Sequence, residues 1–117
     1  MLVFDATAMA ALLDAYPPVW TWWKRADDGR TTLGFPAAAI VDVGESGEVT
    51  PNQWSTLLWP DTIEVLPLGE SAAVEIGTWS GTLAARQTLW EARALGWTIL
   101  TRDPTLYKPD VVPLLVV

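Results

Sequence analysis

Asp5 and Asp103 are the residues of this chain whose surroundings best suit them to do chemistry. Each lies just past a short apolar run, Leu2-Val3-Phe4 in one case and Trp97 to Thr101 in the other. Such runs read as buried strands. Asp42 and Glu45 form a second acidic pair, one helical turn apart and so on one helix face. The chain contains no histidine and no cysteine, which removes imidazole and thiolate chemistry. A bound metal would therefore be held by oxygen, as magnesium, manganese and calcium are. Taken singly, each acid also has a plainer use. Asp5 suits a helix N-cap, Asp42 and Glu45 a solvated helix face, and Asp103 before Pro104 a turn.

The elements that would carry these residues alternate between two periods. After the strand Leu2–Phe4, Met9, Leu12, Leu13 and Tyr16 recur at helical spacing. Pro17-Pro18 ends that helix and opens another, which runs through Trp23 to a stop near Gly29. Gly34 and Pro36 lead into an alanine-rich segment, Ala37 to Val43, that favours helix. Thr50-Pro51 reads as an N-cap with proline at the first helical position, starting a helix to about Leu58. Ile63 to Leu66 reads as a strand. Ser71 to Trp79 and Thr82 to Leu95 read as helices, with Gly96 as a C-terminal cap. Val111 to Val117 reads as a last strand. Strands separated by helices predict one α/β domain over residues 1–117, with a mostly parallel sheet covered on both faces. Ligands of such sheets sit beyond the carboxyl ends of the strands, where Asp5 and Asp103 are expected to meet.

The net charge of −7 and the seven scattered basic residues argue against a broad nucleic-acid-binding face, which needs clustered Lys and Arg. The N-terminal apolar stretch, Leu2 to Leu13, is interrupted by Asp5 and is too short to cross a bilayer. It also lacks the basic start of a signal peptide. The expected compartment is the cytoplasm, with no membrane association. Eight tryptophans occur, three of them as Trp20, Trp22 and Trp23. Neighbouring helical positions diverge by about 100°, so these three cannot all enter one core. At least one is expected at the surface or against a protein partner, where tryptophan is a common anchor. Trp90 and Trp97 read as core.

The order of these blocks resembles the PIN family of metal-dependent ribonucleases across nearly the whole chain. The resemblance lies in Leu2-Val3-Phe4-Asp5-Ala6-Thr7, in Pro36 followed six residues later by Asp42, and in the closing run Glu91 to Asp103 with Gly96, Thr101 and Asp103 in place. It implies a three-layer α/β/α sandwich with a four- or five-stranded, mostly parallel sheet. It also implies a pocket in which Asp5, Asp42 and Asp103 bind Mg²⁺ or Mn²⁺, with Thr7 and Thr101 as supporting hydroxyls. Glu45 shares or replaces the role of Asp42. A metal held there would activate water and stabilise charge on a scissile phosphate.

One expected acid is missing. The resemblance places a third carboxylate at the position of Ala85, which has no ligand atom, and Arg86 follows it. Glu91 lies six helical residues further on, roughly 9 Å along the axis. Glu75 reaches the pocket only if its helix runs beside it. The functional expectation is therefore a degenerate PIN-like domain with weakened or lost nuclease activity, kept for partner binding or regulation through Trp20, Trp22 and Trp23. The alternative is a Mg²⁺-dependent endoribonuclease acting on RNA, such as the toxin of a toxin–antitoxin pair. The resemblance implies a homodimer, and an antitoxin as a further partner.

Overall fold

Alternation along the central strands sends side chains to two separate cores. In the structure, a computed structural model describing residues 1–117, β1 (Leu2–Phe4) directs Leu2 and Phe4 to one side and Val3 to the other. β2 (Leu33–Pro36) adds Leu33 and Phe35 to the first side. β4 (Thr98–Thr101) adds Leu100 to that side and Ile99 to the opposite one. β3 (Ile63–Leu66) and β5 (Leu114–Val116) complete five parallel strands in the order β3-β2-β1-β4-β5. Burying both faces explains why the central strands β1 and β4 read as short apolar runs.

Each face is covered by helices whose apolar stripes match it. The first core takes Met9 and Leu12 from α1 (Ala6–Leu13), and Val19 and Trp23 from α2 (Pro17–Asp27). The Phe4 and Phe35 rings stack there with centroids 5.0 Å apart. Each buried side chain of that size contributes about 1.5–3 kcal/mol. The second core packs Ala85 and Ala92 of α6 (Leu83–Leu95) against Val3, Leu66 and Ile99. α3 (Ala37–Ser46), α4 (Pro51–Leu57) and α5 (Glu70–Ile76) fill the remaining crossovers. No helix is long and apolar enough to cross a membrane.

Local signals fix several ends. Thr50 and Gln53 form a reciprocal capping box with Pro51 at the first helical position. Gly96 closes α6 in the left-handed region, at φ +70°, as a C-terminal glycine cap does. Other boundaries shift from expectation. α1 stops at Leu13 because Ala15 turns the chain at φ 54°, which leaves Tyr16 as the N-cap of α2. α5 ends at Ile76, short of Trp79, and β5 starts at Leu114 rather than Val111.

β2 is the larger correction, since Gly34 and Pro36 read as a lead-in to α3 rather than as a strand. Gly34 lets the Leu66 side chain approach closely, since a Cβ there would lie 2.8 Å from Leu66 Cδ1 and 3.4 Å from the Trp97 ring and would make Leu66 shift. Pro36 sits at the last position of the strand, opposite Leu66.

Candidate functional site

The chain reverses its direction of travel across the sheet between β1 and β4, which are neighbours although β2 and β3 intervene in sequence. A crevice at such a switch point, beyond the carboxyl ends of the strands, is the usual ligand site of an open α/β sheet. Phe4 pairs with Leu100, so Asp5 and Thr101 emerge side by side.

Asp5 is 1% exposed and accepts three hydrogen bonds. Its Oδ1 caps α1, receiving the Ala8 amide at 2.9 Å and the Thr7 hydroxyl at 2.6 Å. Its Oδ2 receives the Tyr107 hydroxyl at 2.8 Å. The single proton of the Thr7 hydroxyl points at Asp5, so the 3.3 Å contact between Thr7 and Thr101 is donated by Thr101. Thr7 Oγ1 also accepts from the Arg102 amide at 2.9 Å, and Thr101 Oγ1 from the Asp103 amide at 3.0 Å. Asp103 caps the turn that follows, its Oδ1 accepting from the amide and hydroxyl of Thr105.

Tyr107 is buried beside this network. Burial, and then the charge and hydrogen bond of Asp5, push its phenol above the ordinary value, so it remains a donor. Tyr107 also packs in the second core with Ala85, the residue at the position expected to carry an acid. A phenol from the far end of the chain thus engages Asp5 beside the position where a further acid was expected.

The expected residues divide into two groups. Asp5, Thr7, Thr101 and Asp103 are brought together at the ends of β1 and β4. Asp42 and Glu45 are exposed on α3, and no three acids of the chain approach closely enough to hold a metal ion. Glu75 is exposed and accepts from the Trp90 indole at 3.0 Å. Glu91 is 8% exposed in α6, and burial raises its carboxyl above the usual range, partly offset by the Gln87 amide. A divalent ion needs several convergent oxygens. With an alanine at position 85 and Asp42 and Glu45 turned to solvent, the residues as arranged do not fit one.

Two residues central to this region escape sequence reasoning. Tyr107 carries no motif. Gln87 is fully buried and bridges three elements, its Oε1 accepting the Ala38 amide at 2.8 Å and its Nε2 donating to the Leu66 carbonyl at 2.9 Å. The only signal for Gln87 is a polar residue within the small-residue stripe Ala84, Ala85, Thr88 and Ala92.

The three neighbouring tryptophans also separate. Trp23 is core, with its indole donating to the Leu57 carbonyl at 2.9 Å. Trp22 packs partly against the same core, under the Arg25 guanidinium at 4.5 Å. Trp20 is at the surface and stacks on Trp23, with centroids 4.8 Å apart. Trp59, which no sequence pattern singles out, is 82% exposed. Trp90 and Trp97, expected in the core, are only partly buried.

No protein-family model and no curated protein sequence matches the chain. Solved structures do resemble it. PAE2754 from Pyrobaculum aerophilum aligns at 22% identity with a TM-score of 0.57, over 97% of this chain and 82% of that one. FitAcB from Neisseria gonorrhoeae aligns at 16% identity with a TM-score of 0.61, over 97% and 96%. The fold is a PIN-like α/β/α sandwich on a five-stranded parallel sheet.

Proposed function

We propose that this chain is a PIN-like domain whose acidic pocket serves as an internal hydrogen-bonded joint, and that it acts by binding a protein partner rather than by cutting RNA. The observation that carries the reading is the state of Asp5, whose two oxygens are both engaged by donors of the chain itself. Ala85 offers no replacement ligand, and Asp42 and Glu45 face solvent. The remaining resemblance to a nuclease site, the hydroxyls of Thr7 and Thr101 beside Asp5, is accounted for by the joint.

Tryptophan supports the partner reading. Trp59 stands in solvent at the end of α4, and Trp23 lines a cleft beside it while stacking on Trp20. An indole exposed to that degree loses apolar contact with water when covered. The occupant proposed is a second copy of the chain, since two-fold homodimers are the commonest assemblies.

Two measurements test the reading. Calorimetric titration with Mg²⁺ and Mn²⁺ is expected to give no binding that Asp5→Asn removes, and single-stranded RNA is expected to survive incubation with either ion. Metal-dependent cleavage abolished by Asp5→Asn would overturn the proposal in favour of an endoribonuclease. Light scattering is expected to return a dimer mass that falls to the monomer in Trp59→Ala. A wild-type monomer at all concentrations would sink the homodimer.

A further inference from the structure

The molecule carries twice as many acids as bases, 14 against 7, yet three of those bases line one cleft that no acid lines. The cleft, of about 460 Å³, lies between α6, the segment Thr78–Ser80 before it, and the turn around Tyr107. Arg86, Arg93 and Lys108 supply its charge. None has a carboxylate partner, since the single salt bridge of the chain joins Lys24 to Asp27 elsewhere. Arg86 donates only to backbone carbonyls, those of Ile76 at 3.0 Å and Thr82 at 3.4 Å. These bonds fix the guanidinium in place and neutralise none of its charge. Arg93 lies over the Trp79 ring, 5.8 Å from its centroid. Glu75 shares the adjoining cleft with Arg93 but forms no salt bridge with it, and accepts instead from the Trp90 indole.

Gathering three unpaired cations in so acidic a protein costs mutual repulsion, which a bound anion would relieve. Two guanidiniums and an ammonium suit a dianion better than a single carboxylate, and the arginine fork matches phosphate oxygens in pairs. Ser80 adds a hydroxyl, while Trp79 and Leu89 supply apolar wall. The volume falls in the range of small-molecule sites, roughly 300–1,000 Å³. We infer that this cleft binds a small phosphate monoester carrying a flat apolar body, with the phosphate held by Arg86, Arg93 and Lys108. The inference stands on the cleft alone and is independent of the partner reading.

Phenyl phosphate is the probe, titrated into the ¹⁵N-labelled full-length chain at constant ionic strength. Inorganic phosphate and benzoate are titrated in parallel. The expected result is a saturable shift of the Trp79 indole N–H signal, with phenyl phosphate bound about tenfold more tightly than either fragment. The Arg93→Gln/Lys108→Gln double variant replaces two exposed side chains and is expected to keep the wild-type amide spectrum. It should weaken binding about tenfold or more, the loss of charge-assisted hydrogen bonds. No saturable shift at Trp79 would overturn the inference, as would an unchanged affinity in the double variant. Benzoate binding as tightly as phenyl phosphate would overturn the assignment to phosphate.

Discussion

The Tyr107 hydroxyl donates to Oδ2 of Asp5 at 2.8 Å, joining residues 102 positions apart and tying the turn after β4 to the start of α1. Both partners are buried, so neither has water as a substitute. Tyr107→Phe leaves a buried carboxylate oxygen without its donor and is expected to cost about 1–3 kcal/mol. Urea denaturation of Tyr107→Phe, Asp5→Asn and the double variant measures the coupling directly. Additive losses would show that the contact contributes nothing of its own.

Gln87 is the second joint. Truncation in Gln87→Ala strands the Ala38 amide and the Leu66 carbonyl together. The expected loss is about 2–4 kcal/mol. Hydrogen exchange at Ala38 should quicken in the same variant, and a protected amide there would contradict the assigned bond.

Glu91 makes stability depend on pH. Burial raises its folded-state pKa above the unfolded value, so the folded chain holds this proton more tightly than the unfolded one. Its contribution is fully present below the unfolded pKa and is lost as pH rises through the folded one. Glu91→Gln removes that loss, so its melting temperature is expected to exceed the wild-type value at neutral pH. The two should converge below about pH 4. Equal melting temperatures at both pH values would show that the carboxyl is not desolvated.

The tryptophans separate by role. Trp23→Ala removes a core indole and its hydrogen bond to Leu57, and is expected to cost about 3–5 kcal/mol. Trp59→Ala should change monomer stability by about 0.5 kcal/mol or less. A large loss of monomer stability in Trp59→Ala would place that indole in the fold rather than on a contact surface.

Much of this architecture was legible in the chain, and the failures share a physical cause. Thr50-Pro51 and Gly96 encode backbone geometry locally, so the starts and stops they mark appear where expected. Asp5 and Asp103 were placed at strand ends by the apolar runs before them. β2 was missed because its two diagnostic residues answer to other strands: Gly34 is small for the sake of Leu66 and Trp97, and Pro36 ends a strand that only pairing defines. Tyr107 was invisible for the same reason, its partner being at the other end of the sequence. Asp42 and Glu45 do share a helix face, but spacing within a helix says nothing about whether that face meets Asp5.

The strand order has a consequence for how the chain is made. β1 is synthesised first yet lies in the middle of the sheet, between β2 and β4. During synthesis β1, β2 and β3 can pair early, while one edge of β1 stays open until the residues of β4 leave the ribosome, some 94 positions behind the Thr7 hydroxyl that meets Thr101. Waiting on so distant a partner slows closure and leaves a bare strand edge exposed in the meantime. The nascent chain is therefore most vulnerable to mispairing just before β4 emerges, and arrival of that strand seals this edge of β1.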